Sequence, residues 1–370
     1  MAPRGSPDPG IVDATARYES WLATQTPLLP RDLARKHAAM RLGSFPFLRA
    51  TYYRWATRWA SVVGDVAAAP RVLAVGDLHV ENFGTWRDAE GRLVWGVNDF
   101  DEAWPLPYTN DLVRVATSAL IARAAGDLAI SAAEAAEALL EGYRDGIASG
   151  GHPFVLAERH PALRDMAVHR LHDPEAFWDK LESFPVVRGK VPAVVRAALA
   201  RSLPAGSLPM RIVHRVAGLG SLGRERYVAL STWRGGHVAR EAKALAPSAS
   251  TFAWVGGRGT ARSPRILYAS ILRHSVRCPD PHVAVEGRWL VRRLAPDCSR
   301  IALNALPRRR DEARLLWAMG WETANVHLGS PTTTVGTDLR RRGKRWLKEA
   351  ALQMAEATEA DWQAWRRATP

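Results

Sequence analysis

The segment GDLHVENFG at residues 76–84, followed by GVNDFDEA at 96–103, constrains this chain more than any other feature. The apolar residues 72–75 predict a short buried strand that ends where the polar segment begins. Residues 83–97 predict two further strands around a tight turn. Such a hairpin would carry Asp99 back toward the end of the first strand, so polar side chains from both segments should meet at one point.

Three of these polar side chains suit magnesium-dependent transfer of a phosphate group. In protein kinases an Asp accepts the proton of the attacking hydroxyl, an Asn five residues later holds magnesium, and a second Asp holds the metal that bridges the phosphates. Asp77, Asn82 and Asp99 have this order and spacing. Taken singly, each has an ordinary alternative as a turn cap or a solvated loop residue. The set as a whole favours a site for ATP and Mg²⁺.

The same residues carry a resemblance to a known family. GDLHVENFG, VNDFDEA and NDLVRVATS at 110–118 resemble a bacterial family called domain of unknown function 2252, itself similar to aminoglycoside and choline kinases in this segment. MRLGSFPFLRATYY at 40–53 and GLGSLGRERYVAL at 218–230 resemble it too. The resemblance extends over most of residues 30–330 and is weakest between 145 and 205.

The resemblance implies an α+β fold of the two-lobed protein-kinase type. By position it implies that Asp77 is the catalytic base, that Asn82 and Asp99 are magnesium ligands, and that His79 shapes the catalytic loop. His79 has a common alternative as a hydrogen-bonded scaffold residue. Asp111 would cap the helix that begins near residue 112 and brace the loop from behind.

A glycine-rich turn provides a candidate phosphate contact. Its glycines are Gly218, Gly220 and Gly223, and strand-like segments flank them at 211–217 and 226–232. Backbone N–H groups in such a turn can close over phosphates, although many hairpins carry glycines for turn geometry alone.

The basic residue expected to clamp the phosphates has two candidates. The family pattern usually has Lys-Glu-Ala where this chain has Arg240, Glu241 and Ala242, and guanidinium does not replace ammonium at a tight site. Lys243 is the other candidate. On a continuous strand Arg240 and Lys243 would point to opposite faces, so only one of them can face the phosphates.

These parts occur in an unusual order, because kinases place the glycine-rich loop and the lysine before the catalytic loop. We therefore expect a circularly permuted arrangement, which is feasible because domain termini often lie close together. The expected divisions are an N-terminal arm (1–30), a helical catalytic lobe (31–205), a β-rich nucleotide-binding lobe (206–300) and C-terminal helices (301–370). In the alternative, the glycine-rich match is false.

Composition sets outer limits. A chain of 370 residues suits one large domain or two lobes. No apolar run reaches 18 residues and the first ten residues lack a signal-peptide core, so we expect a cytoplasmic protein without membrane segments. Cys278 and Cys298 have no metal-ligand spacing, which favours thiols over a disulfide or zinc.

The formal net charge of +14 invites a nucleic-acid function. The basic residues, however, are nearly all arginine, with only six lysines, and no nucleic-acid motif accompanies the clusters at 308–310 and 340–348. These clusters are expected to be solvated faces, with an anionic partner as the alternative.

We therefore expect an ATP- and Mg²⁺-dependent phosphotransferase whose small-molecule acceptor the sequence does not identify. One alternative is a kinase-fold protein that binds a nucleotide or an anionic partner without turnover. Another is a nucleotidyl (AMP) transferase in which the nucleotide lies reversed in the cleft.

Overall fold

The computed structural model of the chain describes residues 8–156, 160–168, 173–254, 265–298 and 309–369. Within these ranges helices and small antiparallel sheets alternate, which confirms the predicted α+β class. The predicted boundary between residues 300 and 301 and the basic residue Arg308 lie outside the described residues. No helix in the described ranges combines the length and apolar character needed to cross a bilayer.

In the described residues four α-helices precede the first strand: α1 (Ile11–Gln25), α2 (Pro30–Met40), α3 (Ser44–Ala50) and α4 (Tyr52–Val63). The first is a correction, because we expected residues 1–30 to be a loosely ordered arm. Tyr18 of α1 stacks on Tyr53 of α4 with ring centroids 4.2 Å apart. The Pro and Gly content of this segment suggested little order, but the burial of its aromatic side chains stabilises the helix.

Four short strands follow: β1 (Arg71–Ala74), β2 (Phe83–Arg87), β3 (Leu93–Val97) and β4 (Trp104–Pro107). β2 and β3 form the predicted hairpin, with Phe83 opposite Val97. β1 pairs with β4, so the chain returns beside its own first strand after the hairpin. The residues between these strands are thereby drawn together at one end.

A run of helices follows these strands in the chain. The helices are α5 (Thr109–Ala124), α6 (Ala132–Ser149), α7 (Pro161–Val168), α8 (Pro174–Glu182) and α9 (Ala193–Ser202), and β5 (Phe154–Val155) adds a third strand beside β3. Ser131 and Glu134 make the predicted capping box at the start of α6. α5 is buried along nearly its whole length. It is therefore a rigid support for the residues that it presents to the loops.

A five-stranded antiparallel sheet follows. Its strands are β6 (Arg211–His214), β7 (Arg226–Trp233), β8 (Gly236–Ala244), β9 (Ala284–Glu286) and β10 (Trp289–Leu294), in the order β6-β7-β8-β10-β9. Two short helices, α10 (Ala249–Trp254) and α11 (Tyr268–His274), lie between β8 and β9 in the chain. α9 covers one face of the sheet with Val195 and Leu199, and part of the other face packs on α8 through Leu181.

The described chain ends in α12 (Arg309–His327), α13 (Thr333–Arg341) and α14 (Trp346–Ala368). α12 packs closely on α6. An added Cβ at Gly320 would overlap the backbone carbonyl of Leu139, and one at Gly142 would overlap that of Trp317. This contact requires glycine because the obstructing atoms belong to the backbone and cannot rotate away.

Gly320→Ala should therefore destabilise the protein despite the higher helix propensity of alanine. Overpacking of this kind costs about 1–3 kcal/mol, and urea denaturation would measure it. Gly336→Ala in α13 is the matched control. The atom nearest to a Cβ added there lies 3.6 Å away, on the flexible side chain of Arg340. The control should be neutral or stabilising by up to about 1 kcal/mol. Equal stability of the wild type and Gly320→Ala would show that the two helices can separate.

Candidate functional site

The loop after β1 is held by a buried carboxylate. Asp111 of α5 accepts hydrogen bonds from the backbone N–H groups of Val75 (2.6 Å) and Gly76 (2.9 Å). His327 contacts the same carboxylate at 3.1 Å. The brace agrees with the expectation for Asp111, but its capping role was wrong, because α5 begins at Thr109 and Asp111 lies inside the first turn.

Gly76 is required at this turn. Its φ is +82°, and an added Cβ would overlap the carbonyl oxygen of Glu102. The close approach brings the loop that carries Asp77 against the loop that follows Asp99, so the two catalytic candidates are fixed relative to each other.

Asp77 is paired with a buried arginine. Arg114 Nε donates to Asp77 Oδ1 at 2.9 Å, and Arg114 Nη2 contacts the same oxygen. The guanidinium is completely buried beside the rings of Tyr52 and Trp55, with its central carbon 5.0 Å and 4.8 Å from their centroids. Burial raises the pKa of Asp77, although Arg114 opposes the shift. Arg114 was not among the predicted site residues, but its spacing of three from Asp111 places both on one helix face.

Asn82 connects the two catalytic loops. Its side-chain nitrogen donates to the backbone carbonyls of Asp77 (3.2 Å) and Asp99 (3.0 Å). With the nitrogen committed to these carbonyls, the side-chain oxygen is the atom that can bind a cation. His79 Nδ1 accepts a hydrogen bond from the Glu81 N–H at 3.2 Å. One ring nitrogen therefore stabilises the conformation of the catalytic loop.

Asp99 and Asp101 share Lys243. Its Nζ lies 3.0 Å and 3.1 Å from the two oxygens of Asp99 and 2.7 Å from Asp101 Oδ1, and Arg224 contacts Asp101 at 3.2 Å. Burial opposes ionisation of Asp99, but the Lys243 charge prevails and lowers its pKa. Burial and the Asp99 charge raise the pKa of Asp101. One carboxylate thus stays ionised while its neighbour holds a proton more readily.

The glycine-rich turn lies over the same loops. A Cβ at Gly220 would be 3.1 Å from the Arg49 carbonyl oxygen and 3.3 Å from Asp77 Oδ2, and both distances are tight. Gly218 adopts φ +73° beside Arg226, and Gly223 adopts φ +106° against Leu33 of α2. The turn therefore needs glycine both for its backbone shape and for its closeness to Asp77.

Arg240 and Lys243 lie on opposite faces of β8, as strand alternation predicts. Arg240 Nε donates to the backbone carbonyl of Ser202 at 2.7 Å, on the side covered by α9. Lys243 faces Asp99. The structure thus brings together Asp77, His79, Asn82, Asp99, Lys243 and the glycine-rich turn, and it leaves Arg240 apart from them.

Asp77, His79, Asn82, Asp99 and two glycines of the turn, Gly218 and Gly220, line one cavity of about 490 Å³, a volume in the range of small-molecule sites. Lys243 lies behind Asp99 and is only 1% exposed. In the described ranges there is no cluster of three or more His, Cys, Asp or Glu side chains that could hold a metal alone. Magnesium does not require one, because it commonly binds one or two carboxylates, several waters and the phosphates of its substrate. The Asp99 carboxylate, which already attracts the Lys243 ammonium, and the Asn82 oxygen fit that donor set.

Comparison with known proteins relates the first half of this site to a family. Residues 28–173 match the model of the family described as "Uncharacterized protein conserved in bacteria (DUF2252)". The match supports the DUF2252 assignment over less than half of the chain and includes Asp77, Asn82, Asp99 and Arg114. A search among curated proteins found no match, and a search among solved structures found none. The sheet that carries Lys243 lies beyond the matched DUF2252 region.

The pH dependence of stability should report on Glu102 in this cavity. Burial raises its pKa to about 7, against the opposing Arg224 charge and the hydrogen bond from the Ala249 N–H. Between roughly pH 4.5 and 7 the folded state keeps a proton that the unfolded chain releases, so the free energy of unfolding falls as the pH rises.

Glu102→Gln should remove that penalty, because its side-chain oxygen can still accept from Ala249. We expect it to be about 1–3 kcal/mol more stable than the wild type at pH 8, and equally stable near pH 4, in chemical denaturation. Glu90→Gln, at an exposed turn position, is the control and should track the wild type. If Glu102→Gln were no more stable than the wild type at any pH, ionisation of Glu102 would not lower the free energy of unfolding.

Proposed function

We propose that this chain is an ATP- and Mg²⁺-dependent phosphotransferase of kinase-like fold that acts on a hydroxyl group of a small molecule. The observation that carries the proposal is the contact of the buried Lys243 with Asp99 across 144 residues of sequence, directly behind the cavity that Asp77, Asn82 and Asp99 line. A cation clamp, a metal-binding carboxylate, a base and a glycine-rich turn are the parts that phosphoryl transfer needs.

The arrangement of the five-stranded sheet supports the kinase-like part of the proposal. Its glycine-rich turn joins the first and second strands, in the spacing G-x-G-x-x-G, and Lys243 lies on the third. Protein kinases have a glycine-rich loop of this spacing over the phosphates and a lysine on their third strand. Because this sheet follows the catalytic loops in the chain, a circular permutation accounts for the order.

Asp77 would act as the base. Its carboxylate faces the cavity under Gly220, and Arg114 fixes its orientation from behind. Because burial raises its pKa, this carboxylate accepts a proton more readily than a solvated aspartate. An acceptor hydroxyl beside it would therefore lose its proton to Asp77 as the oxygen attacks phosphorus.

Asp99 and Asn82 would hold the metal, and Lys243 would hold phosphate oxygens beside it. Magnesium bound there would neutralise the charge that develops on the transferred group. Asp99 is suited to this role because its lowered pKa keeps it ionised. When phosphates bind, the Lys243 ammonium can keep its contact with Asp101 and direct another of its N–H groups toward a phosphate oxygen.

Asp99→Ala should abolish the metal-dependent binding of ATP. In the wild type, ATP at about 100 times its Kd should stabilise the fold by about 2.7 kcal/mol, and only when Mg²⁺ is present. The variant should fold, because Lys243 retains Asp101, but should lose the shift in melting temperature. Asp65→Ala, an exposed carboxylate outside the cavity, should keep it. Equal stabilisation of the wild type and Asp99→Ala would remove Asp99 from the site.

Asp77→Asn should separate catalysis from binding. The amide keeps an oxygen for Arg114, so folding and ATP affinity by calorimetry should be preserved. Loss of a positioned base typically costs about 10²–10⁴-fold in rate, to be measured by mass spectrometry of products from a broad metabolite mixture with ATP and Mg²⁺. If the wild type turns over no faster than Asp77→Asn while both bind ATP, the chain is a nucleotide-binding protein.

A further inference from the structure

A second charged group faces the cavity from the five-stranded sheet. Three arginines converge on Glu241 of β8. Glu241 Oε1 accepts from Arg215 Nη1 (2.6 Å) and Arg226 Nη1 (2.9 Å), and Oε2 accepts from Arg292 Nε (2.7 Å). Neither the catalytic loops nor the metal ligands include any of these residues. We call the four residues the arginine cluster.

The arginine cluster carries excess positive charge. Glu241 is completely buried, and the arginines hold its pKa well below the usual range despite that burial. One carboxylate therefore neutralises one of three guanidinium groups. Burial and repulsion from Arg226 and Arg292 lower the pKa of Arg215, although Glu241 opposes the shift. An anion in the cavity would relieve that repulsion.

Two of the arginines have surface facing the cavity. The side chains of Arg215 and Arg292 are 23% and 22% exposed, whereas that of Arg226 is 5% exposed and donates to Ser221 Oγ at 2.8 Å. Each guanidinium has five N–H donors in a rigid fork, so Glu241 occupies only part of each. Planar donor forks of this kind suit bidentate contacts with phosphate.

The cluster lies next to the lysine that faces Asp99. Glu241 and Lys243 are two residues apart on one face of β8, a separation of roughly 7 Å along a strand. Arg226 lies opposite Lys243 on the neighbouring strand. A chain of linked phosphates in the cavity can therefore lie beside Asp99 and its Lys243 partner at one end and contact the arginine cluster at the other.

We infer that Arg215, Arg226 and Arg292 form an oligophosphate subsite that holds the β- and γ-phosphates of the bound nucleoside triphosphate. A nucleobase is disfavoured there, because it would cover charged guanidinium groups without supplying negative charge. The inference rests on the proposed function for the nucleotide, the metal and Asp77. It goes beyond that function, because it specifies that the α-phosphate rather than the terminal phosphate lies at the catalytic loops.

With the terminal phosphates in this subsite, the α-phosphorus is the one beside Asp77 and Asp99. The acceptor hydroxyl oxygen then forms a bond to the α-phosphorus as the bond from that phosphorus to the bridging oxygen of pyrophosphate breaks. Asp77 takes the hydroxyl proton, and pyrophosphate leaves with the negative charge, held by the arginine cluster. The group transferred is a nucleoside monophosphate.

Calorimetry with ATP and AMP, each with Mg²⁺, tests the subsite without an acceptor. Arg215→Gln and Arg292→Gln should each weaken ATP binding about tenfold or more and leave AMP binding unchanged, because AMP lacks the phosphates that the cluster holds. Arg211→Gln, an exposed arginine on β6, controls for net charge. Circular dichroism would verify folding, and Arg292→Lys, which keeps the charge but loses the fork, supplies a milder variant. Equal loss of ATP and AMP affinity, or no loss, would overturn the subsite.

Two further measurements separate this inference from the proposed function. Inorganic tripolyphosphate in EDTA should bind Asp99→Ala at least as tightly as the wild type, because the variant lacks a carboxylate beside the phosphates, but it should bind Arg215→Gln at least about tenfold more weakly than the wild type. That result would support the subsite even if no turnover were found. Where turnover occurs, pyrophosphate should be the product released from ATP. Release of ADP would overturn the inferred orientation and leave the proposed phosphotransferase in place.

Discussion

The contact of Lys243 with Asp99 and Asp101 is the interaction on which the rest of the site depends. The Lys243 side chain is only 1% exposed, and a buried ammonium without carboxylates would be strongly destabilising. If the five-stranded sheet separated from the catalytic loops, the Lys243 ammonium would lose both carboxylates and would be exposed to solvent or remain buried without a partner. The same docking brings the glycine-rich turn over Asp77, because the turn is continuous with β7 and β7 pairs with β8.

Environment gives different properties to carboxylates that are chemically alike. Asp77, whose pKa burial raises even beside Arg114, is suited to take a proton. Asp99, whose pKa Lys243 lowers against burial, is suited to remain an anion beside a cation. A pair of carboxylates with pKa values displaced in opposite directions is a common basis for dividing catalytic roles. Here the division arises because burial outweighs the Arg114 charge at Asp77, whereas the Lys243 charge outweighs burial at Asp99.

Sequence alone predicted the features that depend on local pattern. The β2–β3 hairpin, the capping box at Ser131 and the opposite faces of Arg240 and Lys243 follow from alternation and turn chemistry, and all are confirmed. Helix α1 was missed because Pro and Gly flank a helix whose order comes from packing on distant aromatic residues. Arg114 could have been found from its spacing to Asp111.

The arginine cluster could not have been found in that way, since it depends on strand register. Arg292 lies opposite Glu241, Arg226 reaches the same carboxylate from β7, and Arg215 reaches it from the segment that follows β6. No spacing in the sequence indicates that these four side chains meet. Nor does the family match help, because it ends at residue 173.

The cluster also changes how the net charge of +14 should be understood. Several of the buried arginines have carboxylates of their own: Arg114 has Asp77, and Arg224 has Asp101. In such pairs the positive charge is balanced locally and serves the fold. Glu241 differs because three arginines share its single charge. Since folding alone would not favour unbalanced guanidinium groups at a cavity wall, the excess charge is better explained by an anion that the cavity binds.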